Sequence, residues 1–441
     1  MDNRKIDILI EGIDILTGDP SAEYIKNADI GIENGRISFI APSGEGPRGL
    51  TAAKRISGGH RLAMPGLVNA HTHVAMTLMR NAADDLPLHK WLFERIFPLE
   101  DKLTDDDVYW GTLLGAAEMI KSGTTAYADM YLHMDSAAKA AAETGMRVNL
   151  SKSPLEFHSE GGLKATDVFD ECRNYHHQWD GGGNGKIKVY VEVHSTYLFD
   201  PESLRRAVEL AKELRTGIHI HLLETEKERE DSFEQYGKSP VEICLETGIF
   251  DVPVIGAHLV HVSKEDIAIL LSAGVNAVHN PTSNLKLGSG VMDLPGLLGR
   301  TDRIALGTDG AASNNRLDLW GEMRSASVLH KGQRRDATVV SARQALRMAT
   351  YGGAEALGFR KKGFIREGWA ADLVLVDLDG PQYLGVSEEN ILPFLVYAGS
   401  SADVRCTMVA GRWIYRNGTY PGVDREKILA KAREMRDNLL G

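Results

Sequence analysis

Residues 66–73, GLVNAHTH, read as an apolar extended run that ends in two histidines, and residues 303–310, RIALGTDG, read as another that ends in an aspartate. Between them lie six more runs of the same build: TTAYADMY (124–131), MRVNLSK (146–152), IKVYVEVHS (187–195), GIHIHLLE (217–224), PVIGAHLVH (253–261) and VNAVHNPTSN (275–284). Helical stretches separate them, which is the pattern of repeated βα units. Eight such units predict an α/β fold of the (β/α)8 type, a TIM barrel, whose active site is built from the C-terminal ends of its strands. Polar residues collect at those ends: His71, His73, Asp129, Lys152, His194, His221, His258, Asn280 and Asp309. Strands often end in something polar at a surface, but that explains one or two histidines, whereas here five of the eight runs supply them.

Working outward, shorter strand-like segments flank the barrel region. KIDILIEGIDILTG and ADIGIENGRISFIAP lie before it, ADLVLVDLD and DVRCTMVAGRWIYRNG after it. The pair Asn34-Gly35 is a hairpin signal, and Asn417-Gly418 repeats it. Neither end holds enough strands for a stable sheet of its own. Residues 1–63 and 362–441 are therefore expected to combine into one small β-sandwich domain beside a barrel of residues 64–361.

The 441 residues are 43% hydrophobic and 25% charged, with a formal net charge of −11, the composition of a globular chain with a large core. Net negative charge without a dense Lys/Arg run argues against nucleic acid and anionic membranes as partners. The start, MDNRKIDILIEG, carries charges and no apolar stretch, so neither a secretion signal nor an anchor is expected there. Cys172, Cys244 and Cys406 form no CxxC and no disulfide framework, which points to a reducing cytoplasm.

A metal site is written into the same strand ends. His71 and His73 are two apart on an extended segment, so both imidazoles face one side and can grip one ion. In His219-Ile220-His221 two more histidines share a face; His221 is nearer the strand end and is the better ligand, with His219 packed deeper as a core residue. Asp309 offers a negatively charged fourth ligand. Three imidazoles and a carboxylate suit a divalent ion of borderline hardness, zinc first and iron second. The fourth run ends in Val193-His194-Ser195 and offers no residue to bridge two ions, so one metal is expected; Lys152 is the nearby lysine that could alter this.

Several longer segments resemble one family. PGLVNAHTHVAMTLMRNAADDLPLHKWLFERIFPLEDKLT (65–104), HLLETEKE (221–228), AHLVH (257–261), HNPTSNLKLGSG (279–290) and LGTDGAASNN (306–315) are similar to the 5-methylthioadenosine/S-adenosylhomocysteine deaminases of the amidohydrolase superfamily. The resemblance runs through the closing VAGRWIYRNGTYPGVD (409–424). It implies that His71, His73, His221 and Asp309 bind the metal, that Glu224 and His258 are catalytic, and that Trp91, Glu100 and His194 touch the substrate. It also implies an oligomer. The sequence departs from the family where arginines are common, at Lys152 and Lys164, and around His194, where VEVHSTY replaces a glycine and a proline. Lysine is a point charge and arginine a planar fork, so the group on C5′ of the substrate is what these changes affect.

The chemistry expected is hydrolysis of a C–N bond in a cyclic amidine: an adenine ring loses ammonia to water activated by the metal. Glu224 would pass a proton to ring N1, Asp309 would accept one from the water, and His258 would hydrogen-bond the oxygen being added. His261 is a rival to His258, while Glu226, Glu228 and Glu230 read as solvated. Glu100 would accept from ribose hydroxyls, Lys152 would meet the distal substituent, and Trp91, on a helical apolar pattern, reads equally as core packing. The alternatives are a hydrolase of another ring, such as guanine, a pterin or an s-triazine, and a barrel that binds without catalysing.

Overall fold

In a computed structural model, residues 5–21, 23–158 and 164–441 are described. Eight parallel strands make the barrel: β1 (Leu67–Thr72), β2 (Thr124–Met130), β3 (Arg147–Lys152), β4 (Ile187–Val193), β5 (Ile218–Leu222), β6 (Val254–His258), β7 (Asn276–His279) and β8 (Ile304–Leu306). Each is hydrogen-bonded to the next in chain order, from β1 to β8. Their near-complete burial explains why they read as apolar runs rather than as alternating ones.

The seam between β8 and β1 is closed largely by side chains. Asn69 accepts from the Thr308 amide at 3.0 Å and donates to the Thr308 hydroxyl at 2.7 Å, and the Asp309 amide donates to the carbonyl of His71 at 3.0 Å. Gly307 is required at this seam, because a Cβ there would lie 2.4 Å from Asn280 Oδ1 and 2.9 Å from His71 Cβ.

Helices between the strands follow from local signals. Residues Pro201–Leu214 form one because Asp200 caps it, accepting from the Ser203 amide at 2.7 Å, and because Pro201 opens its first turn. Its buried residues, Leu204, Ala207, Val208, Leu210 and Ala211, recur at helical spacing, and it stops at Arg215 in a left-handed conformation. The barrel floor is plugged by small apolar residues, among them Val68, Ala70, Ala126 and Ala128, packed against Ala354, Leu357 and Phe359 from beyond β8. Access to the interior is thus confined to the C-terminal mouth.

A second, eight-stranded sheet draws on both ends of the chain. Lys5–Leu16 pairs with Tyr24–Glu33, Thr51–Ser57 and Arg61–Pro65, and the last of these pairs with Leu373–Asp377 from the far end. Asn34 and Gly35 both have positive φ and turn the hairpin between Tyr24–Glu33 and Arg36–Pro42, while Asn417-Gly418 closes a smaller turn after Arg412–Arg416. Where this sheet meets the barrel, the Lys362 ammonium, 1% exposed, donates to Asp372 at 2.8 Å and to the Thr125 hydroxyl at 2.7 Å, and Arg147 donates to the same aspartate at 2.6 Å. No helix among the described residues is long and apolar enough to cross a membrane.

Candidate active site and metal centre

At the barrel mouth, His71 comes from β1, His73 from just past its end, His221 from β5, His258 from the end of β6 and Asp309 from three residues after β8. Asp309 Oδ1 lies 3.4 Å from His71 Nε2 and 3.3 Å from His73 Nε2, and His73 Nε2 lies 3.1 Å from His221 Nε2. The donor atoms of His71, His73 and His221 are within 4.8 Å of one another, as are those of His71, His258 and Asp309. His71 Nε2 is buried without a hydrogen-bond partner.

The far nitrogens of these rings fix what the near ones present. His73 Nδ1 donates to the carbonyl of Met130 at 2.5 Å and His221 Nδ1 to that of His194 at 2.8 Å, so each Nε2 turns its lone pair inward. His71 Nδ1 lies 2.9 Å from His219 Nε2, and His219 Nδ1 lies 3.3 Å from the Ser151 hydroxyl. His219 therefore orients a candidate ligand rather than joining the set. Burial pushes His71 down to about 4 and His221 well below an ordinary imidazole, which keeps both neutral. Burial opposes ionisation of Asp309, yet His71, His73 and His258 hold it well below the usual carboxylate range. Its Oδ2 accepts from the hydroxyls of Ser283 at 2.6 Å and Ser313 at 2.9 Å. Inward lone pairs, an orphaned His71 Nε2 and one braced carboxylate fit a single borderline divalent cation.

Beside this cluster, Glu224 Oε1 is 3.8 Å from His258 Nδ1, and the Ser289 hydroxyl donates to it at 3.4 Å. Burial raises the Glu224 carboxyl, with His258 opposing. His258 feels the reverse: burial lowers it, but Glu224, Asp309 and the acceptor oxygen of Asn284, 2.8 Å from Nδ1, leave it raised. Leu223, His258 and Asp309 all carry positive φ, so the chain turns in a left-handed conformation, costly for non-glycine residues, at three points of the site.

These groups line one cavity of about 1120 Å³, its open mouth included. Trp91, Glu100, Lys152 and His194 line it as well, beside His73, His221, Glu224, His258 and Asp309, while His71 lies behind the lining. Trp91 also packs in the main core and is 5% exposed, as its helical apolar pattern predicts. Desolvation pushes the Glu100 carboxyl up to about 7, with Tyr131 opposing, and desolvation pushes His194 down to about 3. The Lys152 ammonium is 3.4 Å from Glu156 Oε1. The Lys164 side chain lies outside the described residues.

One expectation is overturned. Glu228 is not solvated: it is 4% exposed, and its Oε2 accepts from the Glu224 amide at 3.0 Å while its Oε1 accepts from Thr196 at 3.2 Å. The turn after β5 folds it back under Glu224. Glu226 is exposed as expected and pairs with His261 at 2.7 Å, which occupies the rival histidine outside the cavity lining. Asp129 accepts from the Val74 amide at 2.9 Å and steadies the chain just past His73. Ser283, Ser313, Asn284 and Glu192 escaped the sequence reading. The signal available for Glu192 was its alternation with His194, which puts both on one face of β4.

Comparison with known proteins places the chain. The amidohydrolase family matches residues 62–414. A 5-methylthioadenosine/S-adenosylhomocysteine deaminase from Acetivibrio thermocellus is 48% identical over 99% of this chain and 100% of its own. The crystal structure of an adenosine deaminase from Xanthomonas campestris with bound zinc is 33% identical, with a TM-score of 0.93 and 99% of each chain covered. That of an atrazine chlorohydrolase from Arthrobacter aurescens complexed with zinc is 25% identical, with a TM-score of 0.89, covering 97% of this chain and 100% of that one.

Proposed function

The chain belongs to the amidohydrolase family, and from that premise we propose that it hydrolytically deaminates the adenine ring of 5-methylthioadenosine, S-adenosylhomocysteine or a related 5′-substituted adenosine, giving the inosine analogue and ammonia. The observation that carries the reading is that His71 Nε2 and His73 Nε2 both lie within 3.4 Å of Asp309 Oδ1, beside a buried glutamate whose carboxyl burial raises.

His71, His73, His221 and Asp309 would hold one divalent ion, zinc before iron. When bound, such an ion lowers the pKa of water toward ~7 and so supplies a nucleophile at neutral pH. Glu224, whose carboxyl burial raises toward the protonated form, delivers a proton to ring N1, which makes C6 electrophilic. Asp309, ionised and braced by Ser283 and Ser313, takes a proton from the attacking water. His258, raised by two carboxylates and held through Nδ1 by Asn284, presents Nε2 as a donor to the oxygen added at C6. Proton return to the departing nitrogen releases ammonia. His194 and Trp91 enclose the nucleoside, and Glu100 accepts from its ribose hydroxyls.

Ammonia release from adenosine, 5-methylthioadenosine and S-adenosylhomocysteine, measured alongside metal content, tests the proposal. Zinc-loaded protein that hydrolyses an s-triazine or guanine and no adenosine would replace it with another ring chemistry. Protein that holds no metal and gains no activity with added zinc or iron would leave only a binding role.

A further inference from the structure

The wall of the cavity away from the metal centre carries charges that the chemistry leaves unused. C6 of the purine is held at the metal end, so the C5′ end must lie toward the rest of the lining. There β3 and β4 run side by side, with Lys152 paired to Val191 and Glu192 next along β4. Glu192 is 6% exposed, lines the cavity, and its Oε2 has no hydrogen-bond partner. A buried polar atom left unpaired in a binding cleft costs stability that a ligand donor restores.

Among the described residues, Lys152 is the single lysine or arginine of this lining, against the carboxyl groups of Glu100, Asp101, Glu156, Glu192, Glu224 and Asp309. Its ammonium is already within 3.4 Å of Glu156 and acts on Glu192 as well. Burial nevertheless raises the Glu192 carboxyl well above its ordinary range, with Lys152 opposing and Asp129 and Glu100 adding to it, so this wall resists a negative charge even beside Lys152. An incoming carboxylate would compete with Glu156 for the Lys152 ammonium and would enter the surroundings that already resist a negative charge at Glu192. An uncharged group meets no such opposition, and an amine finds a free oxygen.

Building on the deaminase reading, we propose that Glu192 and Glu156, flanking Lys152, set the 5′ selectivity of this enzyme: uncharged or amine-bearing 5′ substituents are accepted and carboxylate-bearing ones disfavoured. Among the candidate substrates, 5-methylthioadenosine and adenosine then outrank S-adenosylhomocysteine, whose amino-acid tail carries a carboxylate.

The test is kcat/KM for 5-methylthioadenosine, 5′-amino-5′-deoxyadenosine and S-adenosylhomocysteine with the zinc-loaded enzyme and with Glu192→Gln and Glu156→Gln. The expected result is that the first two exceed the third by ~10-fold or more, and that each variant narrows the gap by ~3-fold or more. S-adenosylhomocysteine preferred by the unaltered enzyme, or a gap that neither variant moves, overturns the proposal. Glu156 is partly exposed, so its variant reports even where Glu192→Gln folds poorly. Binding of the matching 5′-substituted inosines by calorimetry requires no turnover and separates the two claims. Glu192-dependent preference for amine over carboxylate without deamination of any adenosine would refute the function and uphold the charge selection, whereas equal binding of both would refute the selection.

Discussion

His71 Nδ1 lies 2.9 Å from Nε2 of His219, and both rings are fully buried. One histidine of β5 is a candidate ligand and the other, two residues earlier, aims a ligand of β1. With His219 held neutral by burial, its Nε2 accepts from His71 Nδ1 and leaves the His71 Nε2 lone pair for the ion. His219→Ala is expected to weaken zinc binding by ~10- to 100-fold, as loss of a ligand-orienting group does. Competition with a chromogenic chelator measures this, and unchanged affinity would show that His71 needs no such partner.

Glu224→Gln removes the proton carrier and keeps its shape. Zinc content should be retained while kcat falls by ~10²-fold or more. A variant that turns over at near-normal rate would place the proton source elsewhere, with His258 the next group to vary.

The Glu100 carboxyl, pushed up to about 7 by desolvation, is neutral below that pH and ionised above it. Ionised, it is the stronger acceptor for ribose hydroxyls. For substrates with both hydroxyls, kcat/KM should rise as pH increases through about 7, and Glu100→Gln should remove that limb. 2′,3′-Dideoxyadenosine serves as the control, because it should lack the same limb with the unaltered enzyme. Identical pH profiles for the two substrates would separate Glu100 from ribose recognition.

The buried ion cluster of Lys362, Asp372 and Arg147 ties the mixed sheet to the barrel, and Lys362 and Arg147 hold Asp372 well below the usual carboxylate range. Lys362→Ala leaves Asp372 short of a partner in a buried place. The expected loss is about 3–5 kcal/mol in chemical denaturation, with zinc affinity unchanged. A loss below ~1 kcal/mol would mean that Arg147 alone suffices, as for a surface pair.

The barrel was legible because its strands are buried on both faces and repeat as apolar runs with polar ends, a signal carried by many residues at once. His71, His73, His221 and Asp309 stood at those ends. What lay beyond reading depends on single side chains whose direction is set by turns. Glu228 sits in a charged stretch that looks solvated, yet the left-handed Leu223 redirects the chain and tucks it beneath Glu224. Ser283 and Asn284 lie within the short helix Pro281–Lys286, and only the placement of that helix against β8 and β6 shows that they steady Asp309 and His258. Charge selection at Glu192 required knowing that Lys152 is already engaged.

The seam that joins Asn69 to Thr308 spans 239 residues of chain, and the amide of Asp309 meets the carbonyl of His71 in the same place. Bringing such distant segments together carries a large loop-closure entropy, so the last gap in the cylinder is the hardest to shut. A cation clasped by His71 and Asp309 would rivet that gap. Zinc uptake and completion of the cylinder thus become one thermodynamic event, and stripping the ion should loosen the first and eighth staves before any others.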